Sequence, residues 1–69
     1  MRLSTAMARA LREISHEASI GHPLTRNTAE MTFGPATIAA LKIRGLVETY
    51  SVGFLFYTRP TAAGLAVAT

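Results

Sequence analysis

Apolar residues recur at helical spacing in the first third of the chain. At intervals of three and four residues they line one stripe of an α-helix: Leu3, Met7, Leu11 and Ile14. Ser4 is a suitable N-cap, and Gly21-His22-Pro23 ends the helical pattern. We therefore predict a helix from Leu3 to Ala18 that buries one face and exposes its charged residues.

Residues 24–33 fit two alternatives. Their β-branched content and the turn-prone Asn27 are compatible with a hairpin whose strands lie near Leu24–Thr25 and Ala29–Met31. A single helical turn around Asn27–Met31 fits equally well. The pattern leaves both alternatives open.

The strongest local signal is a helix from Pro35 to Arg44. Proline is favourable in the first turn, where its missing N–H removes no helical hydrogen bond. Gly45 then stands where a left-handed residue closes a helix, with Leu46 and Leu41 at the two positions that pack together in a Schellman ending. We expect Leu41 and Ile38 to face the core.

A β-hairpin is predicted after this helix. Leu46–Tyr50 and Phe54–Thr58 are rich in β-branched and aromatic residues, and Ser51–Gly53 supplies a tight connection. Alternation along the second strand predicts that Phe54 and Phe56 are core residues, and that Tyr57 is the aromatic residue displayed to solvent.

A short helix is predicted to close the chain. Pro60 breaks the second strand, and Thr61 can cap a helix that runs to Ala68. Together these elements predict a single α+β domain over residues 1–69.

Composition adds a preference for partners. The chain is 49% hydrophobic and only 16% charged, more apolar surface than one small core can hide, which favours a homodimer. The net charge of +3 mildly favours an acidic partner such as nucleic acid. No apolar run approaches the roughly 18 residues of a membrane span, and no signal-peptide pattern is visible. We expect a cytoplasmic protein.

The sequence gives little support for catalysis or for metal binding. The chain has no Cys and no Asp, and its four Glu residues are scattered along it. His16 and His22 do not follow a recognised metal-ligand spacing. We expect neither an enzyme nor a cofactor or metal site.

The segment Thr37–Glu48 resembles the helix-to-wing junction of prokaryotic and phage winged-helix DNA-binding domains. Its Arg-Gly-Leu-Val-Glu core carries the resemblance, and Pro60–Gly64 stands where such proteins often read Leu-Thr-x-x-Gly, with Pro in place of Leu. The resemblance covers Thr37 to Gly64. It implies a recognition helix followed by a hairpin wing, with double-stranded DNA as partner. The segment Thr25–Gly45 is several residues shorter than its equivalent in that family, so the scaffold helix must be truncated or replaced by a hairpin.

Two sets of residues are candidate contacts. Polar and basic residues around the helix and the wing would meet DNA: Arg26, Thr37, Lys42, Arg44 and Arg59. A second set, predicted to face outward, is apolar or aromatic and would meet a protein instead: Ala36, Ala39, Ala40, Ile43 and Tyr57.

Two functions follow from these sets. The first is a homodimeric DNA-binding regulator of transcription, of bacterial or phage type. The alternative is a protein-binding module on the same frame, such as a phage-encoded inhibitor of a host complex of the anti-CRISPR type. The basic residues favour DNA, and the apolar outward face of the predicted recognition helix favours protein.

Overall fold

The order of helices and strands is that of a mixed α+β domain. The computed structural model describes residues 2–68, and within them four helices and three strands follow one another. In chain order these are α1 (Thr5–Ser19), β1 (Leu24–Thr25), α2 (Arg26–Phe33), α3 (Pro35–Ile43), β2 (Val47–Val52), β3 (Leu55–Pro60) and α4 (Ala62–Ala68).

Helix α1 forms where the apolar stripe predicted it. The Met7 N–H donates a hydrogen bond to the Ser4 hydroxyl at 3.1 Å, so the predicted N-cap is confirmed. The stripe faces the core, and its buried members are Met7, Ala10, Leu11 and Ile14. Leu3 precedes the helix and packs against the core while remaining partly exposed.

Residues 24–33 adopt the helical alternative in a longer form, and the hairpin alternative is wrong. Leu24 and Thr25 pair with Thr58 and Tyr57 of β3 rather than with a neighbouring strand. The Thr25 hydroxyl accepts a hydrogen bond from the Thr28 N–H at 3.2 Å and caps the eight-residue helix α2. Burial of Ala29 in the core stabilises this helix, which its local sequence favours only weakly.

The predicted end of α3 is confirmed. Gly45 has a φ of 71°, in the left-handed region. Its N–H donates to the Lys42 carbonyl at 2.9 Å, and the Leu46 N–H donates to the Leu41 carbonyl at 3.0 Å, which is the Schellman pattern. Ile38 and Leu41 are both buried, as predicted.

The sheet is antiparallel with the order β1-β3-β2. β2 and β3 pair from Val47↔Pro60 to Val52↔Leu55, so the connection is the two-residue turn Gly53-Phe54 rather than Ser51–Gly53. Gly53 takes a φ of 62° in this turn, which glycine adopts without the steric penalty of a side chain.

Thr61 joins α4 to the end of α3. Its hydroxyl accepts from the Gly64 N–H at 3.0 Å, which confirms the predicted cap, and donates to the Gly45 carbonyl at 2.6 Å. Its backbone N–H donates to the Leu46 carbonyl at 3.0 Å. The two sequence segments that resemble winged-helix proteins therefore contact each other directly.

No helix among residues 2–68 has the length and apolar character needed to cross a bilayer.

Candidate nucleic-acid interface

The candidate contact residues lie on three elements: α2, α3 and the β2–β3 hairpin. Between the first turn of α2 and the hairpin tip lies an open groove of about 360 Å³. Its lining combines polar groups of the helix with apolar groups of the hairpin: Thr25, Arg26, Asn27, Phe54, Leu55 and Phe56.

Arg26 is the cation in the lining of this groove. It is exposed, and its guanidinium carbon lies 4.8 Å from the centroid of the Phe56 ring, within cation–π range. No ion pair involving Arg26 occurs among residues 2–68. A cation in the first turn of a helix is repelled by the positive end of the helix dipole. An anion placed there would be attracted both by the helix dipole and by the Arg26 guanidinium. This end of α2 is therefore electrostatically suited to a phosphate.

The cations of α3 lie at its C-terminal end. Lys42 and Arg44 are exposed, and Arg44 donates from Nη1 to the Ala40 carbonyl at 3.2 Å. That hydrogen bond holds the guanidinium beside the last turn, where a cation interacts favourably with the helix dipole. Thr37 is half-buried near the other end of the helix. All three retain hydrogen-bonding groups within reach of solvent.

Arg59 is not equivalent to the other basic candidates. Its Nε donates to Glu48 Oε1 at 2.8 Å, and its guanidinium carbon lies 4.4 Å from the Tyr50 ring centroid. Side chains alternate between the two faces of a strand, so Arg59 and Phe56 project to opposite faces of the sheet. Arg59 therefore lies on the opposite sheet face from the Arg26–Phe56 contact, with its charge largely compensated by Glu48.

The outward side of α3 is apolar. Ala36 and Ala39 are exposed, and Ile43 is 85% exposed. The expectation that Ala40 also faces outward is wrong: it is partly buried and packs against the core. It is displaced around the helix from Ala36 and Ile43, toward neighbouring elements that cover it. The outward stripe is consequently narrower than predicted and carries no hydrogen-bond donor.

The hairpin tip differs most from expectation. Phe54 and Phe56 were predicted in the core, yet Phe54 is fully exposed and Phe56 is exposed beside Arg26. Phe54 lies in the turn instead of the strand, and Phe56 lies near the hairpin tip, beside Arg26 of α2. Tyr57, predicted to be displayed, is half-buried and stacks on Tyr50 with ring centroids 5.6 Å apart.

Sequence reasoning missed several exposed apolar side chains, among them Phe54, Phe56 and Met31. Met31 lies on α2 and is 86% exposed. The Gly53-Phe54 pair carried a usable signal, because a glycine between two β-rich segments commonly occupies the first position of a two-residue hairpin turn. No comparable local signal marks Met31.

Metal-ligating side chains do not cluster among residues 2–68: no three His, Asp or Glu side chains come close enough to hold an ion. Comparisons with protein-family models, with curated proteins and with solved structures give no match to this chain. Its candidate function therefore depends on the geometry of its own residues.

Proposed function

We propose that the chain is a small, non-enzymatic winged-helix protein of the cytoplasm, which binds double-stranded DNA as a homodimer and regulates transcription in a bacterium or phage. The observation that carries the proposal is the arrangement of α2, α3 and the β2–β3 hairpin, with unpaired Arg26 between helix and hairpin. In a helix-turn-helix the second helix enters the major groove while the first crosses the backbone. Here α3 and α2 would take those two positions.

Phosphate contacts would supply most of the affinity. Arg26, Lys42 and Arg44 are exposed and lie on the two helices in question. Each phosphate that such a cation neutralises releases counterions, which makes binding favourable and dependent on salt. Since the outward stripe of α3 has no donor, base-edge hydrogen bonds would be few, and the protein would tolerate many sequences.

The test is duplex binding by fluorescence anisotropy at two salt concentrations with mixed-sequence DNA. We expect Arg26→Ala and Arg44→Ala each to weaken binding and to reduce the slope against salt by about one unit. Arg12→Ala, an exposed α1 position with the same change of charge, is the matched control. Wild-type protein that does not bind at low salt would refute the proposal.

A second candidate function is a protein-binding module that inhibits a host complex, favoured by the exposure of Ile43 beside Ala36 and Ala39. An apolar side chain at the centre of a protein interface is commonly an anchor, so Ile43→Ala would cost on the order of 1–3 kcal/mol of partner affinity. DNA binding that is insensitive to Ile43→Ala but lost in Arg44→Ala would exclude this alternative.

A further inference from the structure

The structure of the hairpin tip suggests what the proposed DNA site does to a bound duplex. We propose, on the basis of the proposed function, that Phe54 is an apolar wedge that enters the minor groove, separates two stacked base pairs and bends the duplex. The inference rests on where Phe54 lies, how the hairpin holds it, and which charges surround it.

Phe54 projects from the outermost point of the hairpin. It occupies the second position of the Gly53-Phe54 turn, is fully exposed, and is flanked by the exposed side chains of Val52 and Leu55. Val52 and Leu55 are register partners, so the turn closes directly on a paired strand end. A phenyl ring at such a tip is narrow enough to enter a groove, and leaving water for the space between base pairs would be favourable for it.

Contacts within the hairpin and with α2 brace it. On one face, Tyr50 and Tyr57 stack with centroids 5.6 Å apart, and on the other, Phe56 lies against Arg26 of α2. The pairing continues without interruption from Val47↔Pro60 to Val52↔Leu55. These contacts join the hairpin to α2, so the tip is held against the body of the domain by more than its turn.

The distribution of charge favours a wedge over a phosphate contact at the tip. No charged residue occurs between Glu48 and Arg59, so the part of the hairpin beyond that pair, toward the tip, offers no cation to the DNA backbone. Arg26, at the edge of the same groove as Phe54, is the charge complement for a flanking phosphate. Minor-groove proteins that bend DNA insert side chains of this apolar class between base steps, and unstacking costs least at flexible pyrimidine–purine steps.

The experiment compares duplexes of about 30 base pairs with dyes at both ends, which differ only in a central TA step or a central mismatch. A mismatch is already partly unstacked, so a wedge binds it more tightly. We expect wild-type protein to shorten the dye-to-dye distance and to prefer the mismatch by on the order of tenfold. Phe54→Ala should lose the shortening and the preference while the salt slope stays unchanged. Phe54→Leu should retain part of both.

Ile20→Ala, an exposed apolar truncation at the end of α1, is the matched control and should behave as wild type. Wild-type and Phe54→Ala protein that bind DNA with the same dye distance and the same mismatch ratio would overturn the wedge while leaving the proposed function intact. Absence of wild-type binding at low salt would overturn both. A Phe54→Ala protein that changes from dimer to monomer in sedimentation would overturn the wedge in favour of a protein contact.

Discussion

Gly64 lies where α4 crosses the end of α3, and its missing side chain permits that contact. A Cβ atom at this position would overlap the Leu46 carbonyl oxygen and would lie 3.3 Å from Leu11 Cδ1. The Leu46 carbonyl also accepts the Thr61 N–H, so it cannot move away without breaking a hydrogen bond. At the scale of one residue, close backbone approach decides the identity of position 64.

We therefore predict that Gly64→Ala destabilises the protein by about 1–3 kcal/mol, as overpacking does, although alanine is the better helix former by about 1 kcal/mol. Urea unfolding followed by circular dichroism measures the difference. Ala63→Gly is the reverse exchange at an exposed position of α4. It measures how much helix propensity alone changes the free energy of unfolding. A Gly64→Ala protein that is more stable than wild type would contradict the close approach of position 64 to the Leu46 carbonyl.

The aromatic residues show what the conformational preference of a single residue can predict and what it cannot. A preference for strands predicts the hairpin containing Phe54, but not whether Phe54 falls in the strand or in the turn. That choice depends on register, and a change of one residue moves a side chain to the other face. The environment of Arg59 also depends on register. Its ion pair with Glu48 forms because the two residues are partners across the strands β2 and β3.

At the scale of elements, the end of α3 sets the start of the hairpin. Gly45 reverses the chain so that Leu46 becomes buried and Val47 begins β2. Both hydrogen bonds of the ending require the left-handed conformation of Gly45.

Gly45→Val should consequently cost more than the order of 1 kcal/mol that a simple Cβ costs in this conformation, because the β-branched side chain adds a further clash. Nothing lies within 4 Å of an added Cβ, so the Cβ itself would meet no neighbouring residue and its cost would come from backbone strain. Thermal melting is the measurement, and Ala39→Val, at an exposed position of α3, is the control for introducing a valine side chain. Equal melting temperatures for Gly45→Val and Ala39→Val would contradict the prediction.

For the whole molecule, exposed apolar side chains are distributed over several elements. Large ones occur on α2, α3, the hairpin and α4: Met31, Ile43, Phe54, Leu65 and Val67. Soluble monomers seldom leave extensive apolar surface in water. Self-association would cover part of this surface and would also present two copies of the DNA site, as operators with two half-sites require.

We predict a homodimer, with a sedimentation mass near twice 7.4 kDa at tens of micromolar protein. Dilution should dissociate the dimer into monomers if the interface is small, because small interfaces commonly belong to weak complexes. A chain that sediments as a clean monomer at that concentration would remove the homodimer from the proposed function, and the anisotropy test of DNA binding would still stand.

The sequence by itself determined the features that depend on neighbours a few residues apart. The stripe of α1, the Ser4 and Thr61 caps, and the Gly45 ending are all local, so their residues suffice to predict them. Tertiary structure decided the rest. Whether residues 24–33 formed a hairpin or a helix depended on pairing of Leu24 with distant Thr58. The burial of Ala40 and the pairing of Arg59 with Glu48 depended equally on which surfaces meet across the fold, because contacts between distant segments leave no periodic trace in either segment alone.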